Sequence, residues 1–189
     1  GKLDEAESSY RQAIALKPDF AGSHYNLGVT LKALGKLNDA EASCRKAIVL
    51  KADYAEAHNA LGITYQELGK LDEAESSYRQ AIALKPDYAE AHSNLGNTLL
   101  ELERLEEALE NYRQAIALKP DYAEAQYNLG ITLKELGELD EAESSYRQAI
   151  ALKPDYAEAH SNLGNTLLEL GRLDESEENY RQAIALKPD

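Results

Sequence analysis

The sequence predicts an all-α solenoid of paired helices, and three observations predict it. The first is a fixed period. Pro18, Pro86, Pro120, Pro154 and Pro188 are separated by multiples of 34 residues, Ala52 stands in the one position without proline, and residues 71–102 recur letter for letter as 139–170. A period of this length marks a repeat array and has to be settled before any local reading. The second observation is apolar spacing of three, four and seven inside each period, the signature of one helix face. The third is punctuation by glycine and proline at two recurring points of the period.

Taken in order, residues 1–20 form a half repeat, a second helix with its stop, and five units follow: 21–54, 55–88, 89–122, 123–156 and 157–189. Each unit reads as two helices. In the unit 89–122 the first helix lines up His92, Leu95, Gly96, Leu99 and Leu102, and the second lines up Leu105, Ala108, Tyr112, Ala115 and Ile116. Each first helix is expected to start at an aspartate N-cap with a glutamate three residues on, a capping box: Asp53/Glu56, Asp87/Glu90, Asp121/Glu124 and Asp155/Glu158. Each is expected to end at Gly35, Gly69, Gly137 or Gly171, because glycine takes a left-handed C-terminal position without steric cost. Glu103 stands at the equivalent point of the third full unit and predicts a less tightly held turn there. Second helices end at Lys85-Pro86 and its equivalents, where the cation suits the helix C-terminus and proline cannot continue the helix. A helix of about 14 residues is marginal alone in water. One such pair cannot bury its apolar stripe, so neighbouring units must stack and present an extended surface.

Composition narrows the function. The chain has 189 residues, 43% hydrophobic, with a formal charge of −14 from 34 acidic and 20 basic residues. That balance argues against a nucleic-acid backbone or an anionic membrane as partner. Cys44 is the one cysteine, so an intrachain disulfide is excluded. No run of 18 apolar residues occurs, and the first residues, GKLDEAESSY, lack the apolar core of a signal peptide; a cytoplasmic location is the expectation.

The units resemble tetratricopeptide repeats. The resemblance rests on the Leu-Gly pairs Leu27-Gly28, Leu61-Gly62, Leu95-Gly96, Leu129-Gly130 and Leu163-Gly164, the small residues Ala40, Ala74, Ala108 and Ala142, the aromatics Tyr78, Tyr112, Tyr146 and Tyr180, the alanines Ala47, Ala81, Ala115, Ala149 and Ala183, and the prolines. It covers the whole chain and implies a right-handed α-α superhelical solenoid. Departures from the pattern are His24, His58, His92, Gln126 and His160 at the early aromatic position, Cys44 at the second-helix aromatic, Ser176 at the small residue and Ala52 at the proline. The wording YAEAHxNLGN with AIxLxP is also similar to the repeat arm of O-GlcNAc transferases and to bacterial tetratricopeptide proteins.

No glycine-rich phosphate loop, paired-cysteine metal motif or nucleophile elbow is present, so neither an enzyme nor a cofactor is expected. The four histidines are spaced one per repeat instead of converging as a zinc site requires, and are expected to pack in the core. Acidic pairs such as Asp72-Glu73 and Asp140-Glu141 fall at second-helix starts, where negative charge is favoured. Cys44 is expected to pack as a small hydrophobe.

The resemblance implies where binding occurs. In tetratricopeptide folds the first helix of each unit lines a concave groove, and the corresponding positions here include Tyr25, Asn26, Asn59, Asn94, Asn97, Tyr127, Asn128, Asn162 and Asn165. Asparagine is a poor residue in a helix interior because its side chain competes for backbone hydrogen bonds, so its recurrence asks for a reason. One reason is recognition: Asn26, Asn94, Asn128 and Asn162 match the asparagine ladder of O-GlcNAc transferases, interrupted by Ala60, which pairs with the backbone of an extended peptide. Another is that asparagines tie neighbouring first helices together. A third is duplication, since Asn94 and Asn162 lie in identical stretches. Only Lys32 and Lys134 are basic among the groove positions, which predicts a neutral or mildly basic extended guest rather than an acidic tail. The expected function is a protein-protein interaction scaffold. The alternatives are the substrate-recruiting arm of a larger enzyme, such as a glycosyltransferase, and an array that self-associates through uncapped ends.

Overall fold

The computed structural model describes residues 1–187; Pro188, the last of the period-marking prolines, and Asp189 lie outside the described residues. Eleven helices and no strand occur among the described residues: α1 (Lys2–Leu16), α2 (Ala21–Ala33), α3 (Leu37–Leu50), α4 (Ala55–Glu67), α5 (Leu71–Leu84), α6 (Ala89–Glu101), α7 (Leu105–Leu118), α8 (Ala123–Glu135), α9 (Leu139–Leu152), α10 (Ala157–Glu169) and α11 (Leu173–Leu186). The fold class is the expected one, all-α and built of repeated helical hairpins. The chain divides into two compact units, residues 1–98 and Leu99 onward. None of the described helices is long and apolar enough to cross a membrane.

Each hairpin closes on one small core. In the first unit Leu27 and Leu31 of α2 meet Ala40, Cys44 and Ala47 of α3, and Leu61 of α4 meets Ala74, Tyr78 and Ala81 of α5, all buried. In the second unit Leu129 and Leu133 of α8 face Ala142, Tyr146 and Ala149 of α9. Full burial of one such leucine is worth about 1.5–3 kcal/mol, so a hairpin core of this size holds its two helices only with help from its neighbours. The alanines and one glycine allow close approach. A Cβ placed on Gly62 would lie 2.6 Å from Cε1 of Tyr78, so the first helix has no room there for any side chain.

Helix ends explain the sharp reversals between partners. At the end of α2, Gly35 donates to the Lys32 carbonyl at 2.8 Å and Lys36 to the Leu31 carbonyl at 2.9 Å, the double bond of a Schellman motif, with Gly35 at φ +71°. Gly69, Gly137 and Gly171 repeat the conformation at φ +71°, +80° and +77°. Glu103 adopts it too, at φ 58°, with Glu103 donating to Leu100 at 3.0 Å and Arg104 to Leu99 at 2.9 Å. The motif therefore forms without glycine.

The start of each first helix differs from the expected capping box. The N-caps of α4, α8 and α10 are Tyr54, Tyr122 and Tyr156, and none of these side chains makes a cap hydrogen bond. The aspartate belongs instead to a turn before the helix: Tyr54 donates to the Lys51 carbonyl at 3.2 Å and Tyr122 to the Lys119 carbonyl at 3.1 Å. The tyrosine carbonyl then accepts the first helical bonds, as from Ala57 at 3.0 Å and His58 at 3.1 Å. The turn places the lysine that precedes it over the aromatic ring, with Lys51, Lys85, Lys119 and Lys153 lying 4.7, 4.7, 4.7 and 4.5 Å from the centroids of Tyr54, Tyr88, Tyr122 and Tyr156. The turn at Ala52 carries the same contact, so proline is not required for it.

Candidate functional site

First helices touch their counterparts within each unit, α2 against α4 and α8 against α10, and the residues expected to bind lie along these helices. On α2, Asn26 is exposed and Tyr25 half-buried; on α4, Asn59 is buried. Asn94 and Asn97 on α6, Tyr127 and Asn128 on α8, and Asn162 and Asn165 on α10 are half-buried.

Several of these side chains are engaged with one another. Asn94 Nδ2 donates to Asn59 Oδ1 at 3.1 Å, and Asn59 Nδ2 reaches the Tyr88 hydroxyl at 3.4 Å. In the second unit Asn162 Nδ2 donates to the Tyr127 hydroxyl at 3.0 Å. Both interhelical bonds join residues 35 apart in sequence, from one first helix to the one before it. Asn94 and Asn162 thus couple neighbouring first helices, and which partner they meet depends on whether asparagine or tyrosine occupies the position opposite.

Aromatic residues thicken the surface. Tyr25 packs on Tyr54 with ring centroids 5.1 Å apart, and Tyr127 packs on Tyr156 at 4.8 Å. Burial, then the neighbouring tyrosines and glutamates, raises the phenol pKa of Tyr25 and of Tyr156, the latter to about 12. These rings stay neutral donors at ordinary pH. Tyr54, Tyr88 and Tyr156 were not anticipated as part of the surface. Their signal was the tyrosine that follows Pro-Asp or Ala-Asp in these periods, a residue to which the spacing of the apolar positions assigned no role.

The two lysines of the surface are each held by a glutamate. Lys32 Nζ lies 3.2 Å from Glu67 and Lys134 Nζ 2.9 Å from Glu169, each glutamate coming from the next first helix. Second-helix arginines pair with second-helix glutamates, as Arg147 does with Glu143 at 2.8 Å and Glu175 at 2.9 Å.

The histidines depart from the core packing expected of them. His24 is buried, but His58, His92 and His160 are half-buried, each with Nε2 against the carbonyl six residues earlier, at 2.8 Å for His24 with Pro18 and 3.2 Å for His92 with Pro86. They brace the inter-repeat turn, whose carbonyl sits at the edge of the hairpin, and this keeps the ring partly in solvent. No group of three or more His, Cys, Asp or Glu side chains able to hold a metal occurs among the described residues.

Beneath the surface lies a slot that second-helix aromatics fill. Tyr78, Tyr112 and Tyr146 are fully buried there. The Tyr78 hydroxyl donates to Gln66 Oε1 at 3.2 Å and the Tyr180 hydroxyl to Asn165 Oδ1 at 2.6 Å. The Tyr146 hydroxyl is buried without a hydrogen-bond partner. In the slot of α3 stands Cys44, and a cavity of about 200 Å³ opens between α2 and α4, lined by Tyr25, Val29, Lys32, Asn59 and Ile63 among others.

Comparison with known proteins agrees with this architecture. A family model described as TPR repeat matches residues 1–35, 30–69, 65–103, 96–137 and 132–171, and one described as tetratricopeptide repeat matches residues 157–189. Among solved structures, the chain is similar to MamA at 26% identity and TM-score 0.79, over 86% of this chain and 95% of that one. It is similar to YrrB, described as a TPR protein with an unusual peptide-binding site, at 27% identity and TM-score 0.77, over 95% and 93% of the two chains. It is also similar to TTC0263, a thermophilic TPR protein in Thermus thermophilus, at 30% identity and TM-score 0.71, over 89% and 92%. No curated protein sequence matches the chain.

Proposed function

Because the chain belongs to the tetratricopeptide repeat family, a scaffold suited to protein-protein interaction, we propose that it holds an extended peptide segment of its partner along the exposed face of its first helices. The observation that carries this reading is the cavity between α2 and α4, lined largely by the first-helix residues Tyr25, Val29, Lys32, Asn59 and Ile63. Ligand sites are concave, mostly apolar, and carry a few fixed polar groups, and this one meets each condition. The description of YrrB as having a peptide-binding site supports the same reading. Since Lys32 and Lys134 are already paired with glutamates, the face offers no free cation cluster to an acidic tail among the described residues, and the guest is neutral or mildly basic.

Asn94 and Asn162 donate to neighbouring helices, so their replacement disturbs the scaffold together with any contact to a guest. Tyr127 accepts the Asn162 bond and shares that drawback, so Tyr25, which packs on Tyr54, is the better probe of recognition. Peptide arrays of neutral, basic and acidic sequence, probed with the full chain, are expected to retain neutral and basic members. Tyr25→Ala should weaken capture about tenfold, a typical loss for an aromatic anchor, with helicity by circular dichroism unchanged. Preferential capture of acidic peptides, or capture indifferent to the Tyr25 substitution, would overturn the proposal.

A further inference from the structure

Cys44 leaves open a volume that a tyrosine ring fills in sister hairpins. In α5, α9 and α11 the ring packs against a first-helix glycine: a Cβ built on Gly62, Gly130 or Gly164 would come within 2.6, 2.7 or 2.9 Å of Cε1 of Tyr78, Tyr146 or Tyr180. In α3 the sulfur takes over that contact, lying 2.5 Å from a Cβ built on Gly28. The side chain ends at the sulfur, where the tyrosine ring would continue toward the first-helix face. The remaining space is the cavity of about 200 Å³, and its walls include Tyr25, Val29, Ala60 and Ile63, with Lys32 and Asn59 also lining it.

We propose that this cavity receives one aromatic side chain of the guest polypeptide, so that the partner supplies the ring this hairpin lacks. The inference rests on the peptide-holding reading above and names what is recognised at one point of that surface. Size is set by the sister hairpins, where a phenol ring in the same slot is fully buried, as Tyr78 and Tyr146 are. Chemistry agrees with size. Apolar side chains and the edge of the Tyr25 ring make up most of the wall, Glu56 and Thr64 join Lys32 and Asn59 as its polar part, and a sulfur at the floor makes favourable contact with an entering ring. Burial raises the Cys44 pKa to about 12, so the floor carries no charge at neutral pH. The cavity opens where a guest runs, since Val29 in its wall is 39% exposed. Lys32 beside it is paired with Glu67, so no unbalanced cation in that wall selects a carboxylate.

The test uses 4-methylphenol, the tyrosine side chain as a free molecule, titrated into the full chain and followed by amide chemical shifts. Saturable shifts at Gly28, Val29 and Ile63 with a dissociation constant of about millimolar are expected for a probe of this size. Cys44→Tyr restores the sister residue and should weaken binding about tenfold or more; Cys44→Leu, which fills less of the slot, provides the same block should the larger ring not be accommodated. Shifts that do not saturate, or that persist in both filled variants, overturn the proposal. A neutral peptide with one tyrosine, compared with its alanine counterpart, separates the two readings. Binding of 4-methylphenol without any peptide binding overturns peptide holding and leaves the pocket standing. Peptide binding indifferent to the tyrosine overturns the pocket and leaves peptide holding standing.

Discussion

Tyr78, Tyr146 and Tyr180 occupy one slot in three hairpins, and the fate of each hydroxyl depends on the residue across from it on the first helix. Gln66 accepts from Tyr78, and Asn165 accepts from Tyr180. Opposite Tyr146 the corresponding residues are Lys134, drawn to Glu169 at 2.9 Å, and Ile131, which has no acceptor, and the hydroxyl is left buried and unpaired. A buried group without a partner loses its hydration uncompensated. Tyr146→Phe is therefore expected to raise stability by about 1 kcal/mol, while Tyr78→Phe, which abandons a made bond, lowers it by about 1 kcal/mol. Urea unfolding of the two variants checks the opposite signs; the same sign for both would remove the distinction. The tyrosines themselves were legible as recurring core positions, but the pairing was not. It depends on which of two first-helix positions carries an acceptor, and on a glutamate from the next hairpin that diverts the lysine.

At the scale of the element, termination proved more predictable than initiation. The residue that closes each first helix, glycine in four of the five, sits at a fixed point of the period and takes the same left-handed conformation. Glu103 bears the steric cost of that conformation, about 1–2 kcal/mol for a residue with a Cβ, offset in part by the smaller entropy it loses on folding. Glu103→Gly is expected to stabilise the chain by about 1 kcal/mol, and Gly69→Ala to destabilise it by about the same amount, both read from denaturant midpoints. An unchanged midpoint for Glu103→Gly would mean that its side chain compensates the strain. Initiation misled because Asp followed three residues later by Glu reads as a capping box, whereas here the aspartate is consumed by the turn and the tyrosine becomes the N-cap. That shift of one residue also brings Tyr54 and Tyr156 onto Tyr25 and Tyr127. Part of the candidate surface was therefore illegible for the same reason that the cap was.

For the molecule as a whole, the many buried phenols and the one buried thiol set the response to alkali. Burial raises the pKa of Cys44 from 9.0 to about 12, and those of Tyr88 and Tyr156 from 10.0 to about 12; Tyr25, Tyr54, Tyr112, Tyr127 and Tyr146 are raised as well, burial being the leading cause for each. Each is an acid whose folded pKa exceeds its unfolded one, so the native state binds more protons than the unfolded state at high pH. The stability these groups contribute is fully present below about pH 9 and is lost as pH rises toward 12. The formal charge of −14 grows more negative over the same interval and adds self-repulsion. The phenolate absorbance of the tyrosines whose pKa is raised is expected to appear together with the loss of helical circular dichroism. Free titration of most tyrosines near pH 10 with helicity intact would contradict this reading.

By itself the sequence determined the repeat period, the all-α class, the identity of most core residues and the family, because each of these depends on spacing along one chain and is written many times over. The resemblance also indicated which helices would carry the candidate binding residues. Tertiary structure alone decided what those residues do. Whether an asparagine amide meets Asn59 or Tyr127, whether a lysine is free or held by a glutamate 35 residues on, and whether the slot behind the first helix is filled or hollow are matters of which side chains face each other across neighbouring hairpins. Sequence marked Cys44 as a departure from a pattern. Only packing turned that departure into a cavity, because a missing ring leaves space only where the surrounding helices are held too firmly by their other contacts to close over it.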